Sequence, residues 1–299
     1  MRRACFALDV GGTKIAAAIV AEDGELLARS RRPTEAARGG ASVLNSMADC
    51  LHELAAQAGA LDIAGIGIAA AGVIDPLRAE VADATDAMPS WKGQRLAATL
   101  SPRFGLPVHA TNDVHGALLG ELWRNPEMAG TVAMLALGTG VGGAIAHNGA
   151  LLAGRHFLAG HFGRTLVFDP DAGVLVPLDA LISGTGLARL YQQRTGADHN
   201  TDGIGVMAQA AGGKAVARAA LERWLDHLAL QLHNLHWSLD PSRIIIGGGV
   251  IDAQAFWWPL LQERIAAMGI APRIEPATLG SDAALLGAAQ LVWTRGGAA

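Results

Sequence analysis

Cysteine is scarce in this chain: its 299 residues include two, Cys5 and Cys50. Two thiols exclude a disulfide framework and a cysteine-rich zinc site, and we therefore expect a cytoplasmic protein. A surplus of positive charge is also missing, because 23 Lys and Arg residues against 27 Asp and Glu residues give a formal net charge of −4. Composition therefore does not point to nucleic acid or to anionic lipid, and we expect no nucleic acid and no membrane as a partner.

Long apolar runs are missing too. The longest stretches, 63–74 and 131–146, are shorter than the about 20 residues that a membrane helix needs or are interrupted by glycine. The run after the basic N-terminus ends at Asp9, which is too early for a secretory signal. The chain is rich instead in apolar residues (51%) and in glycine, whose 38 copies are about 13% of the chain against a usual share of about 7%. We expect a sizeable core and backbone held close to a ligand.

One pattern of strands occurs twice in the chain. An apolar strand ends at a Gly-Thr loop, a second strand follows, and an Asp-Gly or Asn-Gly turn leads into a third strand. The first copy covers residues 4–29 and the second covers residues 132–152. Two copies predict an internally duplicated fold, with chance similarity between two glycine-rich hairpins as the alternative.

Apolar residues at helical spacing lie between and after these copies. The predicted helices cover residues 43–58, 114–123, 181–193, 215–239, 256–268 and 282–293. Strands that alternate with helices predict the α/β class. We place an N-terminal lobe at residues 1–113 and a C-terminal lobe at residues 114–299, with a cleft between them and the final helix packing back on the first lobe.

The two Gly-Thr loops are candidate phosphate-binding sites. Bare glycine backbone lets N–H groups approach an anion, and the first loop adds a threonine hydroxyl and a lysine charge. The candidate residues are Gly11, Gly12, Thr13 and Lys14 in the first loop and Gly138, Thr139 and Gly140 in the second. If they face each other across a cleft, the two loops would bind a polyphosphate from both sides.

The second loop also matches the G-x-G-x-x-G pattern at Gly138, Gly140 and Gly143. A dinucleotide-binding fold needs a helix next and an acidic residue about 20 positions further on. Here the following residues predict a strand and an Asn-Gly turn, so we reject a nicotinamide-dinucleotide site. The first loop lacks the G-x-x-x-x-G-K-[ST] spacing of a P-loop.

Two aspartates, Asp9 and Asp113, stand at the ends of predicted strands, and Asp9 lies beside the first Gly-Thr loop. Asp9 could hold Mg²⁺, usually through water, or could cap the turn. Asp113 stands where a helix starts, and Asp and Asn commonly act as N-caps there. If Asn112 is the cap, Asp113 can accept a proton from a substrate hydroxyl, as phosphoryl transfer to an alcohol requires.

Eight segments of the chain occur together in one known family. They are residues 9–14 (DVGGTK), 89–93 (PSWKG), 111–113 (TND), 137–143 (LGTGVGG), 149–154, 159–160, 246–250 (IGGGV) and 279–288. In order and spacing they resemble the ROK family of bacterial sugar kinases and sugar-responsive repressors over nearly the whole chain. The resemblance implies an actin-like, hexokinase-like ATPase fold, with two duplicated α/β lobes and with ATP and sugar in the cleft.

The resemblance also implies roles for individual residues. Asp113 would take the proton from the 6-hydroxyl of the sugar, Asp9 would serve Mg²⁺, and Asn112 would hold the sugar. Both Gly-Thr loops would hold the phosphates of ATP, and Gly248 and Gly249 belong to the glycine loop on the adenosine side. The cofactors implied are ATP and Mg²⁺, and the family suggests a homodimer.

The sugar pocket departs from the family pattern. His161 stands where family kinases usually carry a Glu, which resembles the N-acetylmannosamine kinase branch, and Arg164 replaces a His that binds zinc together with three cysteines. The corresponding stretch, about residues 172–179, has no cysteine, so we expect neither zinc nor another structural metal. Asp179 stands where the family's sugar-binding Glu ends that motif. With Gly72, these three residues are candidate sugar contacts.

We expect an ATP-dependent sugar kinase that phosphorylates the 6-hydroxyl of a hexose or an N-acylhexosamine, with N-acetylmannosamine favoured. Glucokinase and N-acetylglucosamine kinase activities are the alternatives. A non-catalytic sugar-binding regulator is another, and because the first loop starts at Asp9 we expect no DNA-binding domain before it. The altered residues at 161, 164 and 179 leave open a former kinase that has taken an unusual substrate.

Overall fold

The computed structural model of the chain describes residues 1–125, 130–170, 172–196 and 201–296. Contacts divide the chain into two units. Unit 1 consists of Met1–Glu127, Ala153–Ala159 and Thr278–Ala299, and unit 2 consists of Met128–Leu152 and Gly160–Ala277.

Strands and helices alternate along most of the chain. The strands are β1 (Arg3–Val10), β2 (Lys14–Ala21), β3 (Leu26–Pro33), β4 (Asp62–Ala70), β5 (Val73–Asp75), β6 (Glu80–Asp83), β7 (Val108–Asn112), β8 (Thr131–Leu137), β9 (Val141–His147), β10 (Ala150–Leu151), β11 (Leu166–Asp169), β12 (Val174–Pro177), β13 (Arg243–Gly247) and β14 (Ile274–Pro276). The helices are α1 (Gly40–Gln57), α2 (Leu96–Phe104), α3 (Asp113–Arg124), α4 (Asp179–Ile182), α5 (Gly184–Thr195), α6 (Gly203–Ala211), α7 (Ala215–Leu239), α8 (Gln254–Ala267) and α9 (Ala283–Gly296).

Each unit contains a five-stranded sheet, and the two sheets have the same topology. In unit 1 the order is β3-β2-β1-β4-β7, with antiparallel pairing up to β1 and parallel pairing beyond it. In unit 2 the order is β10-β9-β8-β13-β14, with antiparallel pairing up to β8 and parallel pairing beyond it. Asn148 and Gly149 turn the second hairpin with φ values of 49° and 80°, as a type I′ turn requires. The α/β class and the internal duplication are confirmed.

Helices cover both faces of the unit 1 sheet. On one face, α1 buries Val43, Met47, Leu51 and Leu54, whose spacing of three or four residues places them on one side of the helix. On the other face, α9 packs against β1, β4 and α3. The α3–α9 approach is very close, because a Cβ added at Gly287 would lie 1.7 Å from the carbonyl oxygen of α3 that it faces. Glycine at this crossing lets the two backbones touch.

The core of unit 2 is built around α7. This helix buries one apolar stripe along its 25 residues, and its Trp224 ring meets Trp257 of α8 edge to face at 5.7 Å between centroids. The Trp224 indole N–H donates to the carbonyl of Ser183 at 3.1 Å, between α4 and α5. Helices α5 and α6 pack on α7 and cover one face of this core.

The structure differs from the sequence-based prediction in one helix, in the boundary between the two parts of the chain and in several elements that were not predicted. The predicted helix 181–193 is split at Ser183, which is extended and caps α5 by accepting from the Gly186 N–H at 2.9 Å. The boundary drawn at 113/114 differs from the division by contacts, which keeps α3 in unit 1 with α9 because those two helices pack together. Helices α2 and α6, strand β14 and the hairpins β5–β6 and β11–β12 were not predicted. Among the described residues, no helix combines the length and apolar character needed to cross a membrane.

Candidate functional site

The carboxyl ends of three parallel strands meet at one edge of the unit 1 sheet. Asp9, next to last in β1, pairs with Ala69 of β4, and Ala70 pairs with Asn112 at the end of β7. Because neighbouring parallel strands point the same way, residues at their carboxyl ends share one edge, which is where ligands bind in open α/β sheets. The predicted Asp9, Asn112 and Asp113 are therefore brought together in unit 1.

Asn112 is the N-cap of α3, which confirms the alternative in which this residue and not its neighbour is the cap. Its Oδ1 accepts hydrogen bonds from the N–H groups of Val114 and His115 at 2.9 and 3.2 Å. Its Nδ2 donates to the carbonyl of Gly72 at 2.8 Å. Gly72 has a φ of 105°, and a Cβ there would lie 2.7 Å from the Asp83 carbonyl oxygen, so glycine is required. Two of the predicted sugar contacts are thus bonded to each other.

Asp113 opens α3 and lies within electrostatic reach of Asp9. One of its carboxylate oxygens, Oδ1, accepts from the Val114 N–H at 2.9 Å. The pKa of Asp9 is raised from 3.8 to about 6, first by burial and then by the negative charge of Asp113, while Lys14 opposes the shift. The edge therefore holds two carboxyl groups that disfavour each other's charge, and a bound cation would relieve this repulsion.

The first loop joins β1 to β2 at the same edge. The Gly11 N–H donates to the Lys14 carbonyl at 3.0 Å, which closes a tight turn. Thr34 holds this loop in place, because its hydroxyl donates to the Gly11 carbonyl at 2.6 Å and its N–H donates to the Thr13 carbonyl at 3.0 Å. Gly12, Thr13 and Lys14 are exposed and open to a ligand. The sequence analysis missed Thr34, which belongs to no motif.

The second loop joins β8 to β9 in unit 2. The Gly138 N–H donates to the Gly140 carbonyl at 2.9 Å, and Thr139 and Gly140 are exposed. A strand and not a helix follows this loop, as the sequence predicts, and this differs from the order in a dinucleotide-binding fold. The loop instead has the same place in its sheet as the first loop has in unit 1.

A cavity of about 750 Å³ lies beside the second loop within unit 2. Three predicted nucleotide-binding residues line it: Gly138, Thr139 and Gly249. The adjacent Gly248 approaches β8 so closely that a Cβ would lie 2.4 Å from the Leu137 carbonyl oxygen, and its φ is 86°. Glycine is therefore required for the turn after β13 that brings the loop to the cavity wall.

The remaining wall of the cavity comes from α5, α6 and the residues next to them. It includes Thr185, Ala188, Arg189, Gln192, Asp202 and Ile204. Sequence analysis missed these residues, because they carry no motif and face one space only through the packing of their helices. A cavity of this volume, with apolar walls and a few polar groups, suits a ligand the size of a nucleoside.

The three altered sugar candidates all lie in unit 2. His161 is half-buried and precedes a short 3-10 turn at 162–164, in which Arg164 is exposed. This turn packs on β9, since a Cβ at Gly163 would lie 2.2 Å from the Val141 carbonyl oxygen. Asp179 is the first residue of α4, and its Oδ1 accepts from the Val141 N–H of the second loop. The structure thus places Asp179 against a phosphate-loop candidate.

Metal ligands are sparse in the part of the chain that the structure describes. No group of three or more His, Cys, Asp or Glu side chains is arranged there to hold a metal ion. Where the resemblance places a zinc segment, the chain forms the β11–β12 hairpin and the start of α4. Mg²⁺ needs fewer protein ligands, because it keeps several waters and binds through one or two carboxylates. Asp9 and Asp113, both carboxylates at one sheet edge, fit that requirement.

Comparison with known proteins gives the same family along the chain. The ROK family matches residues 5–295. N-acetyl-D-glucosamine kinase from Yersinia pseudotuberculosis is 30% identical over 305 residues, covering 96% of this chain and 98% of that protein.

Two solved structures are similar over nearly their whole length. The ROK family glucokinase from Streptomyces griseus, in complex with glucose and AMPPNP, has a TM-score of 0.80 and 28% identity and covers 97% of this chain and 99% of that chain. Lmo2764 from Listeria monocytogenes, a candidate N-acetylmannosamine kinase, has a TM-score of 0.85 and 27% identity, and the match covers 99% of this chain and 100% of that chain. The duplicated sheets, the two Gly-Thr loops and the family match agree, and the chain belongs to the ROK family.

Proposed function

We propose that the protein is an ATP-dependent sugar kinase that phosphorylates the 6-hydroxyl of a hexose or an N-acylhexosamine. The observation that carries the proposal is the meeting of Asp9, Asn112 and Asp113 at the carboxyl edge of the unit 1 sheet, beside the loop of residues 11–14. In a member of the ROK family, this edge supplies what phosphoryl transfer needs: a base, a cation site and a phosphate-binding loop.

Asp113 is the proposed general base. As the sugar oxygen forms its bond to the γ-phosphorus, the bond from that phosphorus to the β,γ-bridging oxygen breaks, and the hydroxyl proton passes to the Asp113 carboxylate. The products are a sugar 6-phosphate and ADP. Asn112 fixes the start of α3 through its cap, and the base is thereby held at the sheet edge for the incoming hydroxyl.

Each Gly-Thr loop is a proposed contact for the phosphates of ATP, and the cavity of unit 2 is the proposed adenosine site. The exposure of Gly12, Thr13, Thr139 and Gly140 supports contacts with phosphate oxygens, and the cavity beside Gly249 supports the adenosine. When bound, Mg²⁺ neutralises the charge that develops on the phosphates. Asp9 is the residue that would hold it, usually through water.

The sugar class follows from residues that are proposed contacts and not from a bound ligand. The candidates are Gly72 and Asn112 in unit 1 and His161 and Arg164 in unit 2. The resemblance adds Asp179, but its carboxylate accepts from the Val141 N–H of the second loop. N-acetylmannosamine is favoured, because His161 follows the pattern of that branch and the similar Listeria protein is a candidate for that activity. Glucose and N-acetylglucosamine are the alternatives that the other two relatives support.

The test is release of ADP over a panel of N-acetylmannosamine, N-acetylglucosamine, glucose, mannose and fructose. Replacing the proposed base, Asp113→Asn, should lower kcat on the accepted sugar by at least about 100-fold. The surface variant Asp226→Asn, which changes an exposed carboxylate paired with Arg264, should leave kcat unchanged. If AMPPNP binds and no sugar is phosphorylated, the kinase proposal fails and a non-catalytic sugar-binding regulator takes its place.

We also propose that the protein is a homodimer that contains no structural zinc. The resemblance to the family suggests the dimer, and the missing cysteines in 172–179 support the second statement. Light scattering after size exclusion gives the oligomeric state directly, and a monomer at assay concentration contradicts the first statement. Elemental analysis of the purified protein tests the second, which fails if zinc is found near one equivalent per chain.

A further inference from the structure

The second phosphate loop is held from one side by the segment where α4 and α5 begin. The carboxylate of Asp179 accepts from the Val141 N–H. The Gly184 N–H donates to the Gly138 carbonyl at 2.8 Å, and the hydroxyl of Thr185 donates to the Thr139 carbonyl at 2.7 Å. We call these three contacts the loop clamp, and they tie down nearly every residue of the 138–141 backbone.

Within the loop clamp, Asp179 makes the contact that carries charge. A hydrogen bond from a backbone N–H to a carboxylate is stronger than one between neutral groups. The carboxylate also occupies the space beside Gly140, because a Cβ added at Gly140 would lie 2.8 Å from its Oδ1. A side chain at residue 140 would therefore displace the Asp179 carboxylate from the position in which it accepts from Val141.

We propose that Asp179 is a positioning residue for nucleotide binding, which holds the second loop in the conformation that meets the phosphates of ATP. This inference rests on the proposed function, which assigns the loop to ATP. It differs from the sugar contact that the family resemblance implies for this position. A loop whose N–H groups already point correctly binds an anion without first losing conformational freedom, so losing the clamp weakens nucleotide binding and leaves sugar binding alone.

The experiment compares Asp179→Ala with Asp179→Asn, which keeps an oxygen that can accept from the Val141 N–H. Calorimetry measures the affinity for AMPPNP and, separately, for the sugar accepted in the panel. The Ala variant should bind AMPPNP at least about tenfold more weakly, as expected for losing a hydrogen bond to a charged group. The Asn variant should recover most of that loss, and sugar affinity should stay within about twofold in both.

Amide hydrogen exchange at Val141 gives a readout that does not depend on activity. Its protection should fall in the Ala variant and return in the Asn variant, because the exchange rate follows the opening of this hydrogen bond. Asp226→Ala, on the exposed face of α7, is the matched control and should change neither affinity nor exchange. Thermal melting confirms that each variant is folded. If the Ala variant is unfolded, Asp179→Ser takes its place, because the serine hydroxyl is too short to reach the Val141 N–H.

The inference is overturned if the Ala variant loses sugar affinity while AMPPNP affinity is unchanged, because Asp179 then acts on the sugar. It is also overturned if AMPPNP affinity and Val141 protection both stay at the wild-type value. Failure of the kinase proposal has a different signature: no sugar is phosphorylated although wild-type protein binds AMPPNP. In that case the AMPPNP and exchange measurements still decide the role of Asp179.

Discussion

Replacing Asp9 with asparagine should make the protein more stable at neutral pH while removing its activity. Burial and the charge of Asp113 raise the pKa of Asp9 from 3.8 to about 6, so the folded state holds the proton more tightly than the unfolded chain does. Stability therefore falls as the pH rises from about 4 to about 6 and is independent of this group above that range. At pH 8 the raised pKa lowers the free energy of unfolding by at most about 3 kcal/mol, and solvent screening of this half-buried side chain makes the effect smaller.

Urea unfolding of metal-free and nucleotide-free protein at pH 5 and pH 8 measures this effect. Asp9→Asn should unfold at higher urea than the wild type at pH 8, and the gap should narrow at pH 5, where the wild-type carboxyl is largely protonated. Asp62→Asn, at the exposed start of β4, is the control and should change stability by less than about 0.5 kcal/mol. A variant no more stable than the wild type at pH 8 would refute the reasoning that the Asp9 charge is held at a cost to folding.

Substitutions at residue 112 and at two glycines test the site and the fold. Asn112→Ala removes the cap of α3 and should cost about 1–2 kcal/mol in unfolding free energy. Asn112→Ser keeps a cap oxygen without adding a buried charge and loses the donor to Gly72, so it should keep more of the stability than Asn112→Ala and raise KM for the sugar. Equal effects of the two substitutions on stability would contradict the assigned cap. Gly287→Ala places a Cβ 1.7 Å from a carbonyl oxygen of α3 and should lower the unfolding free energy by at least about 1–3 kcal/mol, measured by urea unfolding. Gly212→Ala is the control: its Cβ would lie 3.4 Å from the nearest atom, an ordinary contact, so the unfolding free energy should hardly change.

Much of the fold was predictable because its signals are local. Each hairpin carries a two-residue turn with glycine, and each Gly-Thr loop follows an apolar strand, so the two copies could be recognised without coordinates. Helix α7 was predicted with its observed bounds, since its apolar spacing is unbroken. The split between α4 and α5 was missed because Ser183 caps α5 from within a run whose apolar spacing continues on both sides.

Some residues of the candidate site could be predicted from the sequence, and others could not. Asp9, Asn112 and the glycine loops stand out in the sequence because charged or flexible residues directly follow apolar strands. Thr34 and Thr185 do not, although each bonds to a loop carbonyl, because one hydroxyl in an ordinary segment gives no pattern. The position of Asp179 beside Val141 was equally beyond reach, since resemblance alone placed it near the sugar.

The sequence by itself determined the class of fold, the family and the residue types available for phosphoryl transfer, because periodicity, turn chemistry and short motifs are properties of neighbouring residues. Only the tertiary structure decided the acidity of Asp9 and the partner of Asp179. A pKa depends on burial and on charges from other strands, and a hydrogen bond depends on which backbone atom a side chain meets, and both are set by strand register and helix packing between segments distant along the chain.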